Sequence, residues 1–415
     1  AVLFLLFQSV FWLASYPMDW IDTGFAGFTG WLSSVLPENL FTDLLINGVV
    51  AGLGGIVVFI PQIMILFGLI TLLEDTGYMA RISFLTDRLM RSVGLNGKSV
   101  MPMISGFACA VPAIMSTRNI ENRKERLLTI LITPLMSCSA RLPVYTILIA
   151  LVIPKTYLFG FIGIQGLVMM GLYLLGLVMA MIVSYVAKSF IKIKEKSFFI
   201  LELPMYRSPR WKNALNTMVE KAKIFVFEAG KVIMIISLVL WALSSFGPKE
   251  KMQQVHLQYQ EQLAQPAADT VLAQEQYASA KLSNSYVGIM GKAIEPVLTP
   301  LGYDWKIGIA LIASFAAREV FVGTMATLYS VEDDGEENRP LKEKMRTAVR
   351  EDGSPVYNLA SGVSLMIFYV FAMQCMSTLA VVKRETKSWK WPVIQLVYMT
   401  GLAYLLSFIA YQLLK

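Results

Sequence analysis

The stretch RSVGLNGKSVMPMISGFACAVPAIMSTR (residues 91–118) joins a glycine-rich turn to a long run of small and apolar residues. Its GKS tripeptide (97–99) resembles the end of a phosphate-binding loop, which reads G-x-x-x-x-G-K-[ST] and follows a β-strand. The first glycine of that motif would fall at Ser92, and residues 81–93 have the periodicity of an amphipathic helix instead of a strand. The sequence therefore predicts a helical turn here and no nucleotide site.

The composition of the chain is that of a membrane protein. Hydrophobic residues make up 56% and charged residues 16% of its 415 positions, against about 45–50% and about 25% in soluble domains. The one histidine, His256, lies in a Gln-rich polar stretch, which argues against histidine catalysis or a histidine metal site. Three cysteines are too few for a disulfide framework. The basic residues behind the net charge of +7 flank apolar segments, so we expect a lipid bilayer as partner and no nucleic acid.

Several segments are long and apolar enough to cross a bilayer, which takes about 20 residues. The predicted complete spans are 43–73, 127–152, 160–187, 224–246, 358–382 and 391–413. Residues 1–16 resemble the end of one more span, so we expect the chain to be a fragment or a processed form. Residues 17–40 carry Trp20 and Trp31 at helical spacing, which is typical of a helix in the membrane interface. An ordinary loop is an equal alternative for that segment.

Two stretches, 77–116 and 286–329, do not fit simple spans. Each has an apolar or amphipathic first half, a turn with glycine, and a second half rich in small residues. At a constant shift of 208 positions, the matching pairs are Gly94 with Gly302, Lys98 with Lys306, Phe107 with Phe315 and Ala108 with Ala316. MSCSARLPV (136–144) also matches MQCMSTLAV (373–381). Internal repeats are common in transporters, so we predict a duplication, with chance similarity as the alternative.

The distribution of basic residues favours a hairpin topology. If 77–116 and 286–329 are re-entrant hairpins that enter from opposite faces, every basic segment falls on the cytoplasmic side. If both cross as single helices, the basic segment 118–126 moves outside. The sequence therefore predicts an all-α polytopic membrane protein with about seven spans and two re-entrant helical hairpins in two inverted repeats. The predicted parts are 1–42 (partial span and interfacial segment), 43–187 (first repeat), 188–223 (basic cytoplasmic segment) and 224–415 (second repeat, with outer polar insertions 249–285 and 330–357).

Soft metal ligands recur at matching positions of the two halves. Thiols and thioethers suit late first-row metals better than Mg²⁺ or Ca²⁺. The candidate ligands of this type are Cys109, Cys138, Cys375, Met136 and Met373. Pro112, Pro134 and Pro143 interrupt helices near the cysteines and would free carbonyl oxygens as further ligands. The alternative is that each cysteine is a small buried hydrophobic residue.

Carboxylates in apolar surroundings are the second set of candidates. Glu319 lies beside Arg318 inside an otherwise apolar helix, and Glu74 and Asp75 end the span 43–73. Ionisable groups in a membrane are costly and usually face a pathway. Arg141, Arg318 and Glu319 could instead form structural ion pairs, and Glu74 and Asp75 could simply be solvated at a helix end.

The motifs resemble one known family. The run LLEDTGYMARISFLTDRLMRSVGLNGKS and its continuation to LMSCSARLPVY (72–145) are similar to the first gate of the membrane domain of the bacterial ferrous iron transporter FeoB. SFAAREVFVGTMATLY (314–329) and the Cys375 segment resemble the second gate. The resemblance covers essentially the whole chain and also extends to the gate architecture of nucleoside transporters.

The resemblance implies Fe²⁺ transport across the bacterial inner membrane, with Fe²⁺ as substrate and no tightly bound cofactor. It makes Cys109, Cys138 and Cys375 the gate cysteines, and Glu74, Asp75 and Glu319 the candidate carboxylates. It also implies a cytoplasmic GTPase domain, and we add a small cytoplasmic accessory protein and a homo-oligomer as candidate partners. The chain contains no GTPase motif, so we expect that domain to lie upstream or to have been removed. A nucleoside or organic-solute transporter and a GTP-driven enzyme are the alternatives.

Overall fold

The structure, a computed structural model, describes most of the chain. The described residues are 2–37, 39–107, 109–154, 157–158, 162–191, 208, 210–249, 251–254, 256–257, 277, 280–281, 284–315, 318, 320–328, 345–346, 348, 355–373 and 375–415. Helices make up nearly all of their regular structure, beside one antiparallel pair of short strands, Tyr157–Leu158 (β1) and Ile162–Gly163 (β2). The predicted helical fold class is confirmed, and most of the insertions predicted at 249–285 and 330–357 lies outside the described residues.

The helices differ widely in length, from 4 to 34 residues. In chain order they are α1 (Val2–Val35), α2 (Leu40–Asp43), α3 (Ala51–Val57), α4 (Phe59–Asp75), α5 (Tyr78–Ser92), α6 (Val100–Gly106), α7 (Ala110–Ser116), α8 (Arg123–Ile132), α9 (Leu142–Val152), α10 (Ile164–Ile191), α11 (Trp211–Ile224), α12 (Gly230–Ser245), α13 (Tyr286–Leu298), α14 (Trp305–Ser314), α15 (Val320–Leu328), α16 (Leu359–Phe371), α17 (Met376–Thr386) and α18 (Lys390–Leu414). Among the described residues, two π-helical segments and five 3₁₀ turns join some of these helices. They are Leu44–Val50, Phe225–Ala229, Gly97–Ser99, Thr117–Asn119, Thr133–Leu135, Ser139–Arg141 and Thr299–Leu301.

Four helical stretches among the described residues are long and apolar enough to cross a membrane. They are Arg123–Val152, Ile164–Ser189, Leu359–Thr386 and Lys390–Leu414, and they correspond to the predicted spans 127–152, 160–187, 358–382 and 391–413. Two of the four are not continuous α-helices, because α8 and α9 are separated by 3₁₀ turns and α16 and α17 by non-helical residues. The predicted total of seven spans and the inverted relation of the repeats stay predictions.

The N-terminal third departs from the predicted layout in two places. Residues 17–35 continue α1 through Pro17, so the loop alternative for this segment is wrong. A single proline removes one helical hydrogen bond, and such a loss is tolerated in membrane-type helices. The predicted span 43–73 is a series of π-helix, α3 and α4. Pro61 has no N–H for the carbonyl of Val57, and the helix is interrupted at Val58.

The chain divides into two compact units, each built from three segments. Unit 1 comprises Ala1–Ser139, Leu177–Leu238 and Met376–Gln395, and unit 2 comprises Ala140–Gly176, Val239–Cys375 and Leu396–Lys415. In unit 1, α11 packs against α4, and α7 packs against α17. In unit 2, α14 packs against both α13 and α15, and α9 packs against α16.

The glycine-rich turn at 94–99 belongs to unit 1 and is held by polar side chains. Gly94 has φ +86°, a left-handed conformation that glycine adopts without strain. Asn96 caps the Gly97–Ser99 turn by accepting from the Lys98 N–H, and its amide donates to the buried Glu125 carboxylate at 3.2 Å. Ser99 Oγ bonds Thr129 Oγ1 at 2.8 Å.

Lys98, the basic residue of the GKS tripeptide, forms an ion pair with Glu121 at 2.9 Å. The hydrogen bond from the Lys98 ammonium group, and then its charge, lower the pKa of the Glu121 carboxyl below its ordinary value. Together with the contacts of Ser99 and Asn96, this pair shows that the polar side chains of the turn are bonded within the protein.

Unit 2 contains a turn of the same local geometry at the matching positions. Gly302 has φ +79°, and two residues later Asp304 caps α14 by accepting from Ile307 N–H at 2.8 Å. The helix that follows each turn ends directly before the matched phenylalanine. Phe107 has φ −65° and ψ −29°, and Phe315 has φ −65° and ψ −28°. The sequence match at a shift of 208 therefore corresponds to a match in backbone geometry.

Candidate functional site

Cys109 lies at the break between α6 and α7. Its backbone is extended (φ −154°, ψ 133°), and it is the N-cap residue of α7. Its N–H donates to the Ser105 carbonyl at 3.1 Å, and its own carbonyl accepts from Ala113 at 3.4 Å. The side chain is partly exposed and packs against the apolar cluster that includes Val111 and Ile114. Cys109 thus stands where two short helices meet.

Met136 and Cys138 lie at the second break of unit 1, between the turns Thr133–Leu135 and Ser139–Arg141. Both side chains are buried, with exposed fractions of 1% and 8%. Met136 has an extended ψ of 131°, which ends the helical path there. Met136 also faces Gly106 of α6 so closely that a Cβ on Gly106 would lie 3.3 Å from the Met136 side chain. Both α6 and α7 pack against the Thr133–Leu135 turn, so the Cys109 segment and the Met136 segment are neighbours.

Two buried glutamines support this second break, and neither was predicted from the sequence. Pro134 has no N–H to donate to the Ile130 carbonyl. Gln395 supplies the missing donor, since its side-chain amide donates to the Ile130 carbonyl at 3.3 Å and to the Leu131 carbonyl at 3.0 Å. On the other side of the break, the Gln62 amide donates to Ser139 Oγ at 2.7 Å. Each of the two is an isolated glutamine within a predicted span, and this is the sequence signal that could have indicated a buried polar contact.

Met373 and Cys375 lie at the corresponding break of unit 2. Helix α16 ends at Phe371, the backbone of Ala372 is extended (φ −61°, ψ 139°), and α17 begins at Met376. Met373 is 1% exposed, whereas Cys375 is partly exposed. Each of the three cysteines is therefore found in non-helical backbone directly before a helical element, and none forms a disulfide.

The predicted carboxylates are less uniform in their placement. Asp75 is the last residue of α4, and it accepts hydrogen bonds of 3.1 and 3.3 Å from the Asn213 amide of α11. Glu74 lies one residue earlier on α4, but its side chain is not among the parts that the structure describes. Glu319 lies outside the described residues altogether. Arg141 and Arg318 are both buried in unit 2.

The candidate ligands fall into two groups according to the compact units. Unit 1 holds Glu74, Asp75, Cys109, Met136 and Cys138, and unit 2 holds Glu319, Met373 and Cys375. Among the described residues, no group of three or more His, Cys, Asp or Glu side chains is arranged to hold a metal ion. Within each unit, sulfur side chains stand beside non-helical backbone.

Comparison with known proteins gives two family matches. The model described as Gate, nucleoside recognition, matches residues 56–152 and 226–389. The model described as ferrous iron transport protein B C terminus matches residues 169–221. The Gate match contains all three helix breaks, including Cys109, Cys138 and Cys375. No solved structure matches the chain significantly.

Curated relatives match over nearly the full chain. An Fe(2+) transporter FeoB of Leptospira biflexa is 43% identical over 99% of this chain, and one of Staphylococcus aureus is 38% identical over 100%. A Porphyromonas gingivalis fusion of Fe(2+) transport protein A with FeoB is 38% identical over 99%. The chain spans 56% of the length of the first two relatives and 49% of the third. The Gate model matches more than half of the chain, and the helix breaks at the three cysteines lie inside the matched region. This membrane protein therefore belongs to the Gate family, and its curated relatives named above are FeoB proteins.

Proposed function

We propose that this chain forms the path by which ferrous iron crosses the bacterial inner membrane. The observation that carries the proposal is the position of Cys109, Cys138 and Cys375, each in non-helical backbone next to the start of a helical element. At such breaks a cysteine sulfur stands beside non-helical backbone, so a thiolate and neutral backbone oxygens can be offered to one cation. The curated relatives are Fe(2+) transporters, which supports Fe²⁺ as the ion.

Methionine sulfur and carboxylates complete the proposed path. Met136 and Met373 are buried at the same breaks and supply thioether ligands that do not need to lose a proton. Glu74, Asp75 and Glu319 would attract the cation by charge and partly compensate for its loss of water. Asp75 is held in place by the neutral Asn213 amide.

The test is Fe²⁺ uptake into proteoliposomes by Cys109→Ser, Cys138→Ser and Cys375→Ser variants. A hydroxyl is a harder and more weakly binding ligand than a thiolate, so we expect uptake to fall about tenfold or more for each. Ala140→Ser is the matched control, because it adds a hydroxyl two residues from Cys138 without removing a sulfur, and it should transport normally. Unchanged uptake and unchanged Fe²⁺ binding in all three cysteine variants would rule out the ligand assignment.

A nucleoside or similar organic solute is the second candidate substrate, because the Gate model is described as nucleoside recognition. In that case the cysteines only pack, and polar side chains near the breaks, such as Gln62 and Gln395, would contact the solute. Uptake of radiolabelled nucleosides into the same proteoliposomes separates the two. Saturable nucleoside uptake that Fe²⁺ does not inhibit would favour the solute.

We also propose two regulatory partners. The relatives are nearly twice as long as this chain, which leaves room for the GTPase domain that the FeoB resemblance implies. The Porphyromonas gingivalis relative is fused to an Fe(2+) transport protein A, which supports a small accessory protein as a second partner. Adding the purified GTPase domain and accessory protein of the full-length protein to the proteoliposomes should alter the rate of Fe²⁺ uptake, and no change with either would contradict this proposal.

A further inference from the structure

One buried carboxylate of unit 1 contacts three arginines. Glu385, near the end of α17, has a side chain that is only 3% exposed. Arg118 donates two hydrogen bonds from Nε and one from Nη2 to its oxygens, at 2.6 to 3.2 Å. Arg126 Nη2 lies 2.7 Å from Oε2, and Arg384 Nη2 lies 3.5 Å from Oε1. Planar guanidinium groups bind a carboxylate in this way with high directional specificity.

The arginines come from elements that are distant in sequence. Arg118 lies in the Thr117–Asn119 turn that directly follows α7, and Arg126 lies in the first turns of α8. Arg118 and Arg126 are separated from Glu385 by 267 and 259 residues. We call Glu385, Arg118, Arg126 and Arg384 the arginine cluster.

The same three helices share an apolar core behind the arginine cluster. Val111, Ile114 and Met115 of α7, Ile130 of α8, and Val381 and Val382 of α17 form one buried hydrophobic cluster. Cys109 packs against its edge. The three helices are thus joined by apolar contacts along their length and by one carboxylate at one end.

Each of these helices leads to a gate cysteine. Cys109 immediately precedes α7, α8 leads into the break that contains Cys138, and Cys375 immediately precedes α17. At a rise of about 1.5 Å per residue, Arg118, Arg126 and Glu385 each lie within roughly 10–20 Å along the chain from their cysteine. A single charged group therefore fixes the far ends of all three cysteine-bearing segments.

We propose that Glu385 is a positioning residue of the gate, which holds α7, α8 and α17 in register so that the helix breaks keep their geometry. This inference rests on the proposed function only in that the breaks are taken to be the ion path. Loss of the Glu385 charge would remove the one carboxylate that Arg118, Arg126 and Arg384 share. Their side chains are 56%, 28% and 34% exposed, so the three guanidinium groups would turn to solvent and repel one another instead of being held together. The ends of the helices would then separate, and the breaks would become more mobile.

The test is the rate at which each cysteine reacts with a maleimide reagent in the metal-free protein, resolved by peptide mass spectrometry. In Glu385→Gln we expect Cys109 and Cys138 to react about tenfold faster, because local opening exposes them. Glu121→Gln is the matched control, since it neutralises an exposed carboxylate that bonds Lys98 outside the arginine cluster, and its rates should equal those of the parent protein. Rates in folded Glu385→Gln that match the parent would overturn the proposal.

A second variant covers the case in which Glu385→Gln does not fold. Glu385→Asp keeps the charge but shortens the side chain by one methylene, so we expect an acceleration smaller than that in Glu385→Gln, and equal rates in folded Glu385→Asp would also overturn the proposal. The maleimide rates do not depend on which ion is transported. Failure of the cysteine variants to lower Fe²⁺ uptake therefore contradicts the proposed function alone, whereas unchanged maleimide rates contradict the role of Glu385 alone.

Discussion

The two glycine turns have nearly the same backbone but are stabilised by different kinds of contact. The turn after Gly94 is surrounded by polar partners, with the Gly97 N–H bonded to Asp87 at 3.0 Å and Asn96 bonded to Glu125. The turn after Gly302 is surrounded by aromatic rings. Tyr303 is 2% exposed and stacks edge-on with Phe368, and a Cβ on Gly302 would overlap the ring of Tyr411.

The lysines at matching positions show the same difference. Lys98 pairs with the carboxylate of Glu121, whereas the Lys306 ammonium lies 5.9 Å from the centre of the Trp305 ring. One backbone geometry can therefore be specified either by hydrogen bonds and charge or by close packing. We expect the first turn to depend mainly on its polar contacts, and the second to be more sensitive to side-chain volume.

The largest difference should appear when the turn glycines are replaced by alanine. Both have positive φ, which costs a residue with a Cβ about 1–2 kcal/mol. At Gly302 the new methyl group also meets the buried Tyr411 ring, so we expect Gly302→Ala to lower the free energy of unfolding by about 2–4 kcal/mol. At Gly94 it meets the Lys188 side chain. The outer atoms of Lys188 can turn away, but its Cβ, 2.9 Å from the new methyl group, must shift slightly, so Gly94→Ala should cost less than Gly302→Ala, about 1–3 kcal/mol.

Thermal unfolding of the detergent-solubilised protein, followed by intrinsic fluorescence, compares the loss of stability in Gly302→Ala with that in Gly94→Ala. An equal loss at both glycines would mean that the aromatic packing of the second turn does not limit side-chain volume.

The second difference concerns the capping residues Asn96 and Asp304. Asn96→Ala removes a cap and also the amide that bonds the buried Glu125, so we expect a loss of about 2 kcal/mol. Asp304→Ala removes the cap of α14, which is worth about 1 kcal/mol. The same thermal measurement compares them. Asn96→Asp is the control, because it keeps the cap oxygen but places a second carboxylate against Glu125 and should remain destabilised.

The sequence predicted those parts of the fold that depend on local signals. Apolar length identified four spans, and the glycine pair with its shift of 208 positions identified two turns whose φ values are both positive. Prolines near Cys109 and Cys138 predicted interrupted helices, and the breaks at these two cysteines follow that expectation, whereas the break at Cys375 has no proline near it.

Contacts between distant segments could not be predicted in the same way. Gln395 reaches a carbonyl left without a helical partner by Pro134, and Glu385 binds arginines more than 250 residues away. Nothing in the pattern around Glu385 distinguishes it from any charged residue at a helix end. A single sequence carries no direct signal for such pairs, since their energy depends on burial that only the folded chain creates.

The smallest difference between the two turns should be the effect of low pH on the Lys98–Glu121 ion pair of the first turn. The Lys98 hydrogen bond lowers the pKa of the Glu121 carboxyl in the folded protein. The pair therefore stabilises the turn at pH values above the ordinary pKa of glutamate, and this contribution is lost as the pH falls through the lowered value. Because Glu121 has an 89% exposed side chain, we expect a shift that salt largely screens.

Carboxyl NMR of the protein labelled at glutamate, recorded with and without Lys98→Gln, measures this shift. The Glu121 resonance should titrate at higher pH in the variant and move toward the same value in the parent protein at high salt. Lys306→Gln is the matched substitution in the second turn and should leave the Glu121 titration unchanged. If Lys98→Gln does not move it either, charge does not distinguish the first turn from the second, and only their packing does.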